Sequence, residues 1–273
     1  MSFVRAPRGV LHRAPPVGAF RHPHQPAPPD LAAFVEFFWY VGWDLRGQAP
    51  QLQETLPHPN VHLVFERGDT RVFGVQRQRF SRRLEGLGGV FGVKFRPGGF
   101  HAFLGRPVAA LADAAPTLHE VFGAAAEGVE RRVLDAGGEH AMRDVAADFL
   151  RSRAPRADMQ AERAAAIVDE IAADRALTRV EQVLERHPVS ERALQRLFRR
   201  YVGATPKWVI GRFRLHEAVE QIAAGRTVDG CEFALALGYF DQAHFIRDFH
   251  RLVGRTPAEY ERLARPAART GAY

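Results

Sequence analysis

The sequence contains almost no cysteine and almost no lysine. Cys231 is the only cysteine in 273 residues, which excludes an intramolecular disulfide and a zinc site built from several thiolates. We expect Cys231 to be a small core residue of a helix. Lys94 and Lys207 are the only lysines among the 38 Lys and Arg residues. Arginine is the default cation in chains from GC-rich genomes, so the net charge of +7 is weak evidence for a nucleic-acid partner.

Signals for membranes and for catalysis are also missing. The chain has no run of about 18 apolar residues that would cross a bilayer. Its N-terminus lacks the charged start, apolar stretch and small-residue cleavage site of a signal peptide. We therefore expect a cytoplasmic protein with no membrane partner. There is no phosphate-binding loop, nucleophile elbow or pair of carboxylates, so we expect no enzymatic activity, no catalytic residue and no cofactor.

One segment of eleven residues occurs twice in the second half of the chain. Residues 196–206 read RLFRRYVGATP, and residues 247–257 read RDFHRLVGRTP. Each copy belongs to a predicted helix that begins at a capping residue, Ser190 or Asp241, and stops at a glycine. Each predicted helix follows a short apolar helix and a tight turn. This arrangement predicts two helix-turn-helix motifs in tandem, the architecture that places a second helix in the major groove of DNA.

The second motif resembles the DNA-binding domain of AraC-type bacterial transcription regulators. The resemblance rests on residues 234–249, ALALGYFDQAHFIRDF, and on residues 254–260, GRTPAEY; more loosely it extends over 163–263. The first motif departs from the family at Leu184 and Pro188, where alanine and glycine are usual. Since proline fixes its own φ and restricts the preceding residue, we expect a different first turn. The resemblance implies a sequence-specific transcription regulator that binds double-stranded DNA, with RNA polymerase and a second copy of the chain as candidate partners.

The residues that read DNA are predicted from helical spacing. Side chains just after the cap, and one turn later on the same face, point into the groove. The predicted base-facing residues are Glu191, Arg192, Gln195 and Arg196 in the first motif, and Gln242, Ala243, Ile246 and Arg247 in the second. Arginine pairs with guanine, glutamine pairs with adenine, and an isoleucine contacts a thymine methyl group. The alternative is that some of these arginines contact only phosphates or form ion pairs on the helix surface.

A basic cluster accompanies these positions. Residues 190–214 hold seven basic residues and one acidic residue, and we expect this imbalance to lie on the surface that reads DNA. The residues predicted at phosphates are Arg199, Arg200, Lys207 and Arg251. We expect His244 to face the preceding helix and to have a hydrogen-bonded structural role.

The pattern along the chain predicts an α+β protein in two domains. We expect a mobile tail over residues 1–29, a sensing or dimerisation domain over 30–155, and an all-α DNA-binding domain with two helix-turn-helix motifs over 156–273. The segment from about residue 28 to 123 has Leu56-Pro57 ahead of an apolar strand and FRPGG at 95–99, and it resembles an uncharacterised domain found ahead of AraC-type DNA-binding domains. It is predicted to contain a small antiparallel sheet or barrel. The predicted elements there are a helix from residue 30, strands at 55–57, 61–65, 71–75 and 90–95, and helices at 108–113, 118–122 and 125–151. In the DNA-binding domain, further helices are predicted at 159–173, 180–186 and 231–237, and a long helix runs from its cap, Thr205, to residue 225.

Polar residues of the first domain suggest a ligand site. The segment PGGFH at residues 97–101 is similar to a motif of cupin metal sites, but the spacing is one residue short, so we expect no metal. We expect instead an effector pocket, with a small molecule as partner. The candidate lining residues are Glu54, His58, His62, Arg96 and His101; the alternative is that these side chains only decorate the surface of strands. Two alternatives stay open: an enzyme or DNA-repair-type regulator with a C-terminal DNA-targeting domain, and a ligand-free regulator whose N-terminal domain only dimerises.

Overall fold

The computed structural model of the chain describes residues 19–225 and 230–264. Its N-terminal part is built on strands and its C-terminal part on helices, so the α+β prediction is confirmed. The strands are β1 (Ala19–Arg21), β2 (His24–Pro26), β3 (Val35–Leu45), β4 (Gln51–Thr55), β5 (His62–Phe65), β6 (Arg71–Phe73), β7 (Phe80–Leu84) and β8 (Gly86–Phe95).

Two long strands, β3 and β8, form the centre of the main sheet. The sheet is antiparallel, with the order β1-β3-β8-β5-β6, and β2 also pairs with β3. β3 reads VEFFWYVGWDL, a run of aromatic and β-branched residues that favours a strand. Its indoles need space on the neighbouring strand: Trp39 pairs with Gly92 and Trp43 with Gly88. β4 and β7 pair separately as a two-stranded ribbon.

The first residues of the domain differ from the sequence prediction. The mobile tail predicted for residues 1–29 is wrong from Ala19 onward, because β1 and β2 pair with β3; residues 1–18 lie outside the described residues. The helix predicted from Asp30 is also wrong, since only turns precede β3. Leu31, Phe34, Val35 and Phe38 are buried, as a helical spacing also requires. From Val35 onward the chain pairs with β8 over most of the length of β3, and this pairing favours a strand over the predicted helix.

Helices cover one face of the sheet. They are α1 (His101–Leu104), α2 (Leu118–Phe122), α3 (Val129–Leu134) and α4 (Glu139–Ser152), with 3-10 turns at Val108–Leu111 and Gly123–Ala126. The predicted strands at 61–65, 71–75 and 90–95 correspond to β5, β6 and β8. The strand predicted at 55–57 is wrong beyond Thr55, the last residue of β4, and β7 was not predicted. The helix predicted over 125–151 is divided into α3 and α4. Between them Gly138 adopts a φ of 109°, a backbone conformation that is not helical and that residues other than glycine rarely adopt.

In the C-terminal part, every secondary-structure element among the described residues is helical. They are α5 (Met159–Ala173), α6 (Val180–Arg186), α7 (Glu191–Leu197), α8 (Pro206–Ala223), α9 (Gly230–Ala236), α10 (Gln242–Val253) and α11 (Pro257–Ala264), with a π-helical turn at Phe198–Val202. The side chains of Ser190, Thr205 and Asp241 cap α7, α8 and α10 as predicted. The pairs α6–α7 and α9–α10 are the two helix-turn-helix motifs, and α8 connects them. None of the described helices is long and apolar enough to span a bilayer.

Candidate DNA-binding surface

The first recognition helix is α7. Leu194 and Phe198 are fully buried in the core of the first motif, which fixes the orientation of the helix because these residues lie one turn apart. The opposite side is exposed to solvent. Its exposed residues are Glu191, Arg192, Gln195, Arg196, Arg199 and Arg200. All four side chains predicted to face bases therefore lie on one outer surface.

The second recognition helix, α10, repeats this arrangement. Phe245 and Phe249 are fully buried, at positions equivalent to Leu194 and Phe198. Gln242, Ala243, Arg247 and Arg251 are exposed, and Ile246 is half-buried. Equivalent positions differ in chemistry, with Arg192 and Gln195 in α7 replaced by Ala243 and Ile246 in α10. The first recognition helix thus presents more cationic donors, and the second presents a more apolar surface.

Several cationic side chains on this surface form no hydrogen bond and no ion pair with any residue in 19–225 or 230–264. They are Arg192, Arg196, Arg199, Lys207 and Arg247. They are therefore available to a DNA ligand. Glu191, by contrast, accepts a hydrogen bond of 2.9 Å from Gln195 Nε2. Arg251 forms an ion pair with Asp248, and the Arg200 guanidinium lies 5.7 Å from the ring centre of Tyr201.

Two predictions about the second motif are wrong. His244 is exposed, and its ring lies edge-on to Tyr239 at 5.2 Å, with no side-chain hydrogen bond to any described residue. Asp241, the cap, instead accepts from the backbone N–H of His244 at 2.6 Å. Cys231 is exposed in the first turn of α9 and is not a core residue.

The first turn contains Pro188 and is held by a cluster of charged side chains. His187 Nε2 lies 2.6 Å from Glu170 Oε2, and Arg186 pairs with Glu170 at 2.9 Å and with Asp174 at 2.7 Å. The Arg186 and His187 hydrogen bonds hold the pKa of Glu170 below its usual value. The sequence signal for this cluster was the i, i+4 pair of carboxylates at the end of α5, Glu170 and its C-cap residue Asp174, together with the basic turn after α6.

The linking helix α8 is braced by two buried arginines. Arg214 is 1% exposed and donates to the carbonyl oxygen of Ile171 at 2.8 Å and to Glu217 Oε2 at 2.9 Å. Arg212 is 3% exposed, and its guanidinium lies 4.7 Å from the ring centre of Trp208. Burial lowers the pKa of Arg212 to about 10. Both arginines were counted in the basic cluster predicted on the reading surface, and for these two that prediction is wrong.

Two of the candidate ligand residues lie against the second motif. Glu54 is buried and pairs at 3.1 Å with Arg79, whose Nη1 donates to the carbonyl oxygen of Val253 on α10 at 3.0 Å. The ring of His58 lies 4.2 Å from the ring of His216 on α8. Both residues therefore belong to the interface between the N-terminal domain and the DNA-binding domain.

Two other candidates lie against the first motif. Arg96 pairs with Asp169 of α5 at 2.8 Å. The ring of His101 lies 4.5 Å from that of Tyr201, and burial lowers its pKa. His62, the last candidate, lies apart from both pairs on β5 and is half-buried. The five residues therefore do not form the single pocket that was predicted.

His62 belongs to an aromatic cluster on the face of the sheet opposite to the helices. Its ring lies 6.3 Å from that of Trp39, and burial, together with the charge of Lys94, lowers its pKa to about 3. The Lys94 ammonium lies 5.1 Å from the ring centre of Phe37 and 2.9 Å from Glu36 Oε1. No group of three or more His, Cys, Asp or Glu residues with metal-binding geometry occurs in the part of the chain that the structure describes.

Comparison with known families agrees with this division. A helix-turn-helix domain family matches residues 184–263, and a domain of unknown function (DUF6597) matches residues 22–116. The paired recognition helices and this match define residues 184–263 as a helix-turn-helix DNA-binding domain. This domain is of the AraC type, as the sequence predicted.

Solved structures of ToxT from Vibrio cholerae show a low similarity. The apo form of a ToxT variant from strain SCE256 is 11% identical, covers 84% of this chain and 98% of ToxT, and has a TM-score of 0.40. ToxT of strain SCE256 bound to an unsaturated fatty acid is 10% identical, with coverages of 89% and 91% and a TM-score of 0.37. These values carry no property of ToxT over to this chain. No curated protein sequence matches it.

Proposed function

We propose that this chain is a one-component transcription regulator of the bacterial cytoplasm. In this proposal both helix-turn-helix motifs bind one bipartite DNA site, and the N-terminal domain binds a small-molecule effector. The DNA-binding part is supported by the exposed faces of α7 and α10. On these faces Arg192, Arg196 and Arg247 have no partner among the described residues. RNA polymerase and a second copy of the chain stay predicted partners.

The effector part is supported by Trp39. Its indole packs against Gly92, where an added Cβ would come within 2.1 Å of Trp39 Cε2. Trp39 Nε1 is buried and has no hydrogen-bond acceptor among the described residues. An unsatisfied buried donor costs about 1–3 kcal/mol, so a ligand that supplies an acceptor at this position gains affinity.

The neighbours of Trp39 define the chemistry of the ligand. His62 stays neutral at physiological pH, because its pKa is lowered to about 3. Lys94 supplies a cation whose side chain is 13% exposed, and Phe37 adds an aromatic surface. A mostly apolar site with a few polar groups is typical of small-molecule binding. We therefore propose a planar, largely apolar molecule that carries a hydrogen-bond acceptor, with a carboxylate as the best match to Lys94.

Thermal denaturation of the full-length protein tests the effector proposal. A panel of aromatic and aliphatic carboxylates is added, together with their neutral amides. A true ligand at 100 times its Kd stabilises the protein by about 2.7 kcal/mol and shifts the melting temperature. Trp39→Phe keeps the ring but removes the N–H, and it should weaken binding of that ligand; Trp208→Phe, on α8, should not. The effector proposal fails if no compound of the panel shifts the melting temperature and the DNA affinity depends on dimerisation. The N-terminal domain would then only pair two subunits.

A further inference from the structure

The N-terminal domain contacts the C-terminal ends of both recognition helices at equivalent positions. Gly203 and Gly254 are the left-handed residues that end the two recognition segments, with φ values of 92° and 78°. A Cβ on Gly203 would lie 3.0 Å from Val108 Cγ1, and a Cβ on Gly254 would lie 1.6 Å from Arg79 Nη1. At each glycine, a side chain of the N-terminal domain therefore packs directly against the glycine backbone.

The contact at the second recognition helix is polar. Arg79 Nη1 donates to the carbonyl oxygen of Val253 at 3.0 Å, in the last turn of α10, where carbonyl groups lack partners within the helix. A cation at this end also interacts favourably with the helix dipole. Arg79 Nε lies 3.1 Å from Glu54 Oε1, and the Glu54 side chain is only 7% exposed. The buried carboxylate thus orients the guanidinium that caps α10.

Apolar contacts surround this polar one. Leu56, which follows β4, is 2% exposed and lies in the same core cluster as Leu252 of α10. Next to it, the carbonyl oxygen of Pro57 lies 2.9 Å from His216 Nε2 on α8. The segment that follows β4 is therefore part of the core of the second motif.

The contact at the first recognition helix is mainly apolar. Val108 is 1% exposed and begins the 3-10 turn that packs on the π-helical turn at the end of α7. Tyr201, in that π-helical turn, also contacts the ring of His101 at 4.5 Å. Gly98 permits a further close approach, since a Cβ there would lie 2.7 Å from the carbonyl oxygen of Ala161 on α5.

The two motifs have separate cores. Val209 and Ile210 of α8 pack in the first core, and Leu215, Val219 and Ile222 pack in the second. The relative position of the two motifs thus depends on α8, on the domain that contacts both of them, and on the turn of the second motif, where a Cβ on Gly238 would lie 2.5 Å from Thr178 Cβ just before α6. We infer that the N-terminal domain is a clamp that sets the spacing of the two recognition helices, with Arg79 and Val108 as its positioning residues. This inference rests on the proposal that both helices bind one DNA site.

Binding as a function of operator spacing tests the clamp. A preferred site is first selected from random DNA with the full-length protein. Variants of that site then add or remove one or two base pairs between the two contacted segments. For the unmodified protein we expect a sharp affinity optimum at the selected spacing. Arg79→Ala should lose about tenfold in affinity at the optimum, the effect of a lost hydrogen bond from a charged donor. It should lose little at the altered spacings, because the second helix is then free to adapt.

Two further variants serve as controls. Arg83→Ala removes an exposed arginine of β7, the strand that follows Arg79, whose nearest carboxylate, Glu85, is 3.9 Å away; its spacing profile should match that of the unmodified protein. Arg79→Lys keeps the charge and should restore part of the optimum. Active protein is counted for each variant by titration against excess DNA, so that a lower folded fraction does not enter the affinities.

The outcomes separate the clamp from the proposed function. A flatter spacing profile for Arg79→Ala, partly restored by lysine, supports the clamp. An equal loss at every spacing, or a profile like that of Arg83→Ala, overturns it while leaving two-motif binding intact. If the unmodified protein binds no two-segment site at all, the proposed function itself fails, and the clamp fails with it.

Discussion

Replacing Arg196 by alanine should change DNA binding without changing the fold. Arg196 is exposed and has no partner within the described residues, so its loss should alter the free energy of unfolding by less than about 0.5 kcal/mol. A bidentate arginine–guanine contact is worth about 1–3 kcal/mol of discrimination, which corresponds to roughly a 5- to 150-fold change in Kd. We expect this loss on the preferred site and a much smaller loss on random DNA.

Fluorescence anisotropy with single-base variants of the preferred site measures this effect. The unmodified protein should discriminate strongly at one guanine, and Arg196→Ala should bind all four bases at that position alike. Arg200→Ala is the matched control, because a phosphate contact should weaken preferred and random DNA equally and lower the slope of log K against log salt by about one. Equal effects of the two substitutions on both kinds of DNA would refute the division of roles.

Three predictions concern stability. Arg214→Met should lower the free energy of unfolding by about 3 kcal/mol, because the buried Ile171 carbonyl oxygen and the partly buried Glu217 carboxylate lose their charged donor; a change below about 0.5 kcal/mol in urea denaturation would contradict the bracing role. Since the pKa of His62 falls from 6.5 unfolded to about 3 folded, the unfolded state binds more protons in this window. Stability should therefore decline as the pH falls from 6.5 towards 3. His62→Gln should flatten this part of the acid limb, and an unchanged pH profile would argue against it. Gly74→Ala should destabilise strongly, because its Cβ would lie 1.8 Å from the Leu111 carbonyl oxygen. Gly137→Ala, with no atom within 4 Å, is the control; equal melting temperatures of the two variants would contradict the clash.

Local signals predicted the C-terminal helices well. α5, α6 and α10 occupy the predicted residues, and the capping residues of α7, α8 and α10 were identified. These features depend on caps, apolar spacing and glycine stops, which lie within a few residues of each other. The strands were harder to predict. Strand pairing joins residues that are far apart in the sequence, such as His24 of β2 with Trp39 of β3 and Gln51 of β4 with Leu84 of β7. The residues of β1, β2, β4 and β7 alone therefore do not predict a strand.

The same distinction applies to the candidate site. Helical periodicity predicted which side chains of α7 and α10 face outward, because one buried stripe fixes the opposite surface. It did not predict that Arg212 and Arg214 point into the protein, since their burial depends on packing against other elements. Nor did sequence spacing show that Glu54 and Arg96 lie against different motifs. These positions are set by the contact between the two domains.

The most direct test of the account is hydroxyl-radical footprinting of the full-length protein on a DNA site selected from random sequence. Two recognition helices joined by the 18-residue helix α8 should enter successive major grooves about 34 Å, or ~10 bp, apart. The account predicts two protected segments of unlike sequence on one face of the duplex. A single protected segment would contradict engagement of the first motif, and no sequence-specific protection would contradict the proposed function.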